Sequence, residues 1–145
     1  MIPNLLELAL ASRSPGSGIT PRTFLDFVVD GVSLSNRFKG GDWVTPIGWT
    51  TAESERMYLE QLTLLAPPET PSGRVPIYVC PECGDLGCGA ISARITRRPE
   101  GFVWSEFAYE NNYDAAPLET YGNVGPFLFD KALYWQTLTT KVASR

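Results

Sequence analysis

Two stretches of alternating apolar and polar residues, each folded back about a tight turn, restrict this chain more than any other feature. Thr23–Val29 and Val32–Asn36 flank Asp30-Gly31, a dipeptide suited to a type I′ turn because both central residues must take positive φ. A two-residue loop places Val29 opposite Val32, Phe27 opposite Leu34 and Leu25 opposite Asn36. One face then collects Leu25, Phe27, Val29, Val32 and Leu34, and Asp26, Ser33 and Ser35 fall on the other. A second pair, Gly89–Arg97 and Phe102–Glu110, brackets Pro99-Glu100-Gly101. A three-residue connection with its glycine in the left-handed region pairs Arg98 with Phe102, Arg94 with Glu106 and Ala93 with Phe107. That register puts Ile91, Ala93, Ile95, Val103, Phe107 and Tyr109 on the core face, and Arg94, Trp104, Glu106 and Glu110 on the opposite one. Another strand is expected over Arg74–Cys80.

Two helices accompany the strands. Thr50-x-x-Glu53 reads as a capping box, in which two side chains satisfy amides that the first helical turn leaves unbonded. Tyr58, Leu62 and Leu65 follow on one face, and Pro67-Pro68 ends the helix. Asp130 is a candidate N-cap for a last helix carrying Tyr134, Leu138 and Val142 on one side and Lys141 in its final turn. Lys39-Gly40-Gly41-Asp42 is expected to turn, and Trp43–Trp49 is a short extended piece broken by Pro46. Antiparallel hairpins punctuated by helices imply an α+β fold, with one twisted antiparallel sheet and both helices on its apolar face. At 145 residues the chain suits one domain, expected over residues 22–145. Residues 1–21 are a poorly defined N-terminal segment, in which Leu5, Leu6, Leu8 and Leu10 suit either a strand or a helical turn and Ser14–Gly18 reads as a loop.

Composition excludes several kinds of chemistry. There is no histidine, which removes Ser–His–Asp and Cys–His catalysis and histidine-ligated metals. A net charge of −4 argues against general nucleic-acid binding, which needs clustered Lys and Arg. No apolar run approaches the roughly 18 residues of a membrane span, and Leu5–Ala11 lacks the basic flank of a signal peptide. The glycine patterns match neither a Walker loop nor a dinucleotide fingerprint.

All three cysteines, Cys80, Cys83 and Cys88, fall within nine residues. An odd, local cluster suits a reducing compartment rather than a secreted disulfide scaffold, so a cytoplasmic location is expected. Cys80-Pro81-Glu82-Cys83-Gly84 is how rubredoxin-like and zinc-ribbon knuckles begin. Zinc takes four ligands, and this chain supplies three thiols and no histidine. Asp85, a distant carboxylate or water would have to complete the set. Three readings stand side by side: small buried hydrophobes in a strand–turn–strand, a zinc site, or a Cys80–Cys83 redox pair. A strand after the turn, in place of a helix N-terminus, counts against the redox reading.

Between Pro99 and Asp130 there are six carboxylates, no Lys or Arg, and eight aromatic residues, leaving the remainder of the chain net basic by two. Such a stretch can form a face for a basic protein partner, with Trp104 and Tyr113 as anchors and Glu106, Glu110 and Asp114 steering. A solvated acidic surface over an aromatic core is the plainer alternative. Glu106 and Glu110 on one strand face lie roughly 13 Å apart, too far for a glycosidase carboxylate pair at about 5–9.5 Å. No reaction is legible in the residues.

The segments CPECGDLGCGA (80–90), WSEFAYENNYD (104–114) and GPFLFD (125–130) resemble a group of small bacterial proteins frequent in actinomycetes. The resemblance covers about residues 74–135 and implies no particular chemistry. In size, acidity and α+β character the chain is also similar to bacterial toxin-immunity proteins. The expected function is therefore a non-enzymatic binding protein, an immunity-type inhibitor being one form and a toxin its basic partner. The alternative is a zinc-binding or thiol redox protein built on the three cysteines.

Overall fold

A computed structural model describes residues 2–13, 19–38 and 42–141, with the side chains of 140 and 141 excepted. The fold is α+β. Its strands divide between two antiparallel sheets rather than the single sheet expected. The smaller sheet orders β1 (Leu6–Arg13), β2 (Arg22–Val29) and β3 (Val32–Ser33) in sequence. The larger one runs β4 (Val75–Val79), β5 (Ala90–Arg98), β6 (Gly101–Glu110) and β7 (Glu119–Thr120), with β8 (Phe127–Asp130) also paired to β6. Helix α1 spans Ala52–Leu62, and α2 spans Lys131–Gln136 before a π-helical turn over Thr137–Lys141.

The N-terminal segment that the sequence leaves undefined belongs to the fold. All eight residues of β1 pair with β2, from Leu6 opposite Val29 to Arg13 opposite Arg22. Leu6 and Leu8 point into the core. Asn4 ties this edge to the larger sheet. Its side chain donates to Asp30 at 2.7 Å and accepts from the Leu128 amide at 3.0 Å.

The Asp30-Gly31 turn forms as the dipeptide demands, with φ of 52° and 83° and Val29 opposite Val32. Beyond Ser33 the chain leaves the sheet into a 3-10 turn over Leu34–Arg37, so the expected pairs Phe27–Leu34 and Leu25–Asn36 are not made. The reason lies in Asp26, which is 5% exposed and not on a wet face. Its carboxylate accepts from Ser33 Oγ at 2.5 Å, Ser35 Oγ at 3.4 Å, the Tyr78 hydroxyl at 2.6 Å and the Phe27 amide at 2.8 Å. Curling residues 33–35 over Asp26 gives a buried carboxyl group hydrogen-bond partners that a straight strand would not supply.

Helix α1 starts one residue later than the capping box suggests. Thr51 accepts from the Ser54 amide, while Thr50 donates to the Pro46 carbonyl. Its end precedes the prolines. Leu64 adopts φ +60°, and the Leu65 and Leu64 amides donate back to the Glu60 and Gln61 carbonyls, the paired bonds of a Schellman motif. Tyr58 and Leu62 are buried as expected, but Leu65 is turned out to solvent by this cap. Asp130 does cap α2, accepting from the Leu133 amide at 3.1 Å, and Tyr134 and Leu138 are buried. Val142, the Lys141 side chain, Ser14–Gly18 and residues 39–41 of the expected turn lie outside the described residues.

The β5–β6 hairpin departs from expectation in an instructive way. Its turn has two residues, with Arg98 opposite Gly101, so the half near the turn is shifted by one. A bulge then opens between the Ser92 and Arg94 pairs, where Glu106 takes φ +51°. Past it, Ser92 faces Ala108 and Ile91 faces Tyr109, the register expected. One extra residue exchanges the two faces of a strand, so Phe102 and Trp104 turn inward before the bulge and Phe107 after it. Trp104 is fully buried, edge-on to Phe27, Phe129 and Tyr134. Its Nε1 donates to the Tyr134 hydroxyl at 3.0 Å, which donates to the Leu62 carbonyl at 2.5 Å. That chain of two bonds joins the larger sheet, α2 and the end of α1. No described helix is long and apolar enough to cross a membrane.

One pH effect follows from the Asn4 connection. The Asp30 carboxyl is held below its ordinary range by the Asn4 side chain and the Leu5 amide. A lowered folded-state value adds stability above the unfolded aspartate pKa of about 3.9, lost as pH falls through the folded value. Asp30→Asn preserves the turn preference but removes that ionisation. Denaturant midpoints measured between about pH 5 and pH 2 are expected to fall less steeply for the variant than for the parent.

Candidate functional site

The loop joining β4 to β5 carries all three cysteines. Its base is fixed by the last ladder pair, Val79 opposite Ala90, and ten residues must turn within that span. They do so as two tight turns. The Gly84 amide donates to the Cys80 carbonyl at 2.8 Å with Gly84 at φ +67°. Asp85 then caps a 3-10 turn over Leu86–Cys88, accepting from the Gly87 amide at 3.1 Å. Gly89, at φ +95°, closes the loop against the Tyr109 hydroxyl, which would lie 2.5 Å from a Cβ placed there. A side chain at position 89 has neither the backbone conformation nor the room.

These turns gather the thiols. The three Sγ atoms lie within 4.8 Å of one another, and Cys83 and Cys88 approach to 2.7 Å. Cys80 is half-buried, while Cys83 and Cys88 are exposed. Backbone amides point at sulfur, as in a metal knuckle: Asp85 N–H donates to Cys83 Sγ at 3.4 Å. Burial pushes the Cys80 thiol up, but the backbone amides of Cys83 and Glu82, with the neighbouring Cys83 and Cys88 side chains, leave the pKa lowered. Cys88 is pushed up to about 12, chiefly by its contact with Cys83. Three thiols this close cannot all ionise without a cation among them. Cys88 thus stands beside the Cys80–Cys83 pair considered for redox chemistry, all three sulfurs sharing one cluster.

The smaller sheet grips this loop from outside. Arg13 and Arg22, the terminal pair of β1 and β2, reach across to it. Arg22 donates to the Pro81 and Glu82 carbonyls at 2.7 and 3.2 Å and stacks 4.1 Å over the Trp49 ring. Arg13 binds the Glu82 carboxylate at 2.6 Å and Asp42 at 2.7 Å. Hydrogen bonds from Thr20, with Arg13, hold the Glu82 carboxyl down at about 2. Beside the loop is a cavity of about 480 Å³ whose wall includes Cys80, Cys88, Trp43, Tyr109, Tyr121 and Glu119. Burial and the neighbouring Glu119 push the Tyr121 phenol up to about 12, so it stays a donor to that carboxylate, at 3.3 Å.

The acidic, aromatic stretch does not assemble into the expected docking face. Trp104 is at 0% exposure and Glu110 at 1%, both interior. Glu110 accepts from the hydroxyls of Ser72, at 2.9 Å, and Ser92; it keeps the face expected for it, but that face is buried here, with Ser92 and Ala108 also at 0% exposure. Glu106 is exposed but neutralised. It faces Arg94 at 3.2 Å, the expected partner, and Arg74 at 3.6 Å, while Arg74 also donates to its carbonyl. Tyr113, 79% exposed, and Asp114 also remain on the surface. The Tyr113 hydroxyl lies over Gly87 of the cysteine loop, and Asp114 is bonded to Asn111. A larger cavity of about 730 Å³ is walled partly by Asp26, whose oxygens are already occupied by internal donors.

Trp104→Ala is expected to destabilise the fold by about 3–5 kcal/mol, as emptying a large buried site does. Tyr113→Ala should stay within about 0.5 kcal/mol. Chemical denaturation of the two variants distinguishes an interior anchor from a surface one. Compared with known proteins, the chain matches no family model, no curated protein and no solved structure.

Proposed function

We propose that this protein binds a divalent metal ion of the zinc class through Cys80, Cys83 and Cys88. The observation that carries the reading is the convergence of three sulfur atoms within 4.8 Å on a loop closed by two turns and gripped by two arginines. Thiolates at about 2.3 Å from a tetrahedral ion stand about 3.8 Å from one another, so the loop needs only small side-chain adjustments to reach that spacing. Soft sulfur donors favour zinc over magnesium or calcium. The ion also supplies the positive charge that three adjacent thiolates require.

Arg22 and Asp85 act as outer supports, fixing the carbonyls and amides of the loop so that the sulfurs keep their directions. Binding releases thiol protons, so affinity falls as pH drops. Reduced, metal-free protein titrated with Zn²⁺ or Co²⁺ is expected to take up one ion per chain. Cys83→Ser should weaken uptake more than about a hundredfold, beyond the 10–100-fold typical of an outer partner. A folded, reduced sample that takes up no metal would refute the proposal.

A further inference from the structure

The metal reading leaves one coordination position unassigned, and the surroundings of the loop indicate what fills it. Tetrahedral zinc needs a fourth donor. Among the described residues the three cysteines stand alone as a ligand cluster. Of the nearby carboxylates, Glu82 is bound to Arg13 and Thr20, Asp42 to Arg13 and Asp85 to the Gly87 amide, and Glu119, in the wall of the adjoining cavity, lies outside the ligand cluster. Cys80 and Cys88, however, form part of the wall of the 480 Å³ cavity. A closed structural site would have no cavity at its ligands, whereas sites that keep an open position bind water or an incoming molecule there. A volume in this range suits a small molecule.

We infer, resting on the metal-binding reading, that the open position takes an exogenous small aminothiol entering from this cavity. Two features select the class. The first is charge. Three thiolates around a divalent ion leave a net −1, and among the described residues the cavity wall adds Asp42, Glu82 and Glu119 against the guanidinium of Arg13. Arg13 is already shared between Asp42 and Glu82. Among the described residues Glu119 has the Tyr121 hydroxyl as its partner and no ion pair. An anionic tail is repelled here, and an ammonium group is attracted. The rings of Trp43, Tyr109 and Tyr121 in the same wall suit a cation as well. The second feature is the donor preference of a thiolate-rich ion, for which a fourth sulfur is a better match than a carboxylate or phosphate oxygen. Sulfur at the metal and ammonium towards Glu119 together describe an aminothiol. Coordination is a ligand exchange: the incoming thiol loses its proton to solvent as its sulfur replaces bound water, with no change in oxidation state.

The test uses the full chain loaded with Co²⁺, whose visible bands report the donor set. Cysteamine, mercaptoacetate and ethylamine are titrated separately, with retention of cobalt by the protein checked after gel filtration. Cysteamine is expected to intensify the sulfur-to-metal bands and to bind at least tenfold more tightly than mercaptoacetate, with ethylamine giving no sulfur band. Glu119→Gln, an exposed substitution, should shrink the preference to below about threefold while leaving cobalt uptake unchanged. Equal binding of the two thiols, or bands that none of them alters, overturns the inference and leaves the metal site standing. Absence of cobalt uptake overturns both.

Discussion

The bulge at Glu106 governs what each half of β6 can do. Before it, Phe102 and Trp104 point inward, and Trp104 links to Tyr134 and Leu62 across the centre of the molecule. After it, Glu110 turns towards Ser72 and Ser92, and Tyr109 is carried to the cysteine loop beside Gly89. A regular strand of ten residues could not serve both ends, because strict alternation would place either Trp104 or Phe107 in solvent. Arg74 holds the irregularity in place by binding the carbonyl and, with Arg94, the carboxylate of the residue at positive φ.

The two sheets meet through polar groups at three places, and each involves a buried or loop-bound partner. Tyr78 of the larger sheet donates to Asp26 of the smaller one. Asn4 connects the Asp30 turn with β8. Arg13 and Arg22 reach from the far end of β1 and β2 to the cysteine loop. Around these lies a shared apolar cluster with Phe27, Trp104, Phe129 and Tyr134 at its centre. The polar links fix how the sheets face each other, which a non-directional hydrophobic contact alone does not specify.

Turn chemistry and periodicity were the legible parts of the sequence. Asp30-Gly31 specified its turn because few dipeptides tolerate two positive φ values, and the Asp130 cap was readable for a similar local reason. The α+β class followed from strands and helices alike. The failures share a cause. Asp26 reads as a surface residue until Tyr78, fifty-two positions away, is known to donate to it. Glu106 carries no mark of a bulge, since its positive φ is sustained by Arg74 from another strand's approach, and with the bulge unseen the face of Trp104 was exchanged; Glu110 keeps its expected face, which is buried beside Ser72 and Ser92. In the candidate site, the cysteines were visible as a motif. The aromatic and acidic wall around them was not, because it is assembled from residues 13, 42, 43, 109, 119 and 121, which only the fold brings together.

The grip of Arg13 and Arg22 on the cysteine loop has a mechanical consequence. These side chains come from the end of β1 and the start of β2, so the position of the loop and the seating of the smaller sheet share the same contacts. An occupant that tightened the loop would bear on the seam through these arginines, and by reciprocity a looser seam would lower its affinity. An ion held a thousandfold above its dissociation constant would add about 4 kcal/mol to global stability, distributed far beyond the ten residues that touch it.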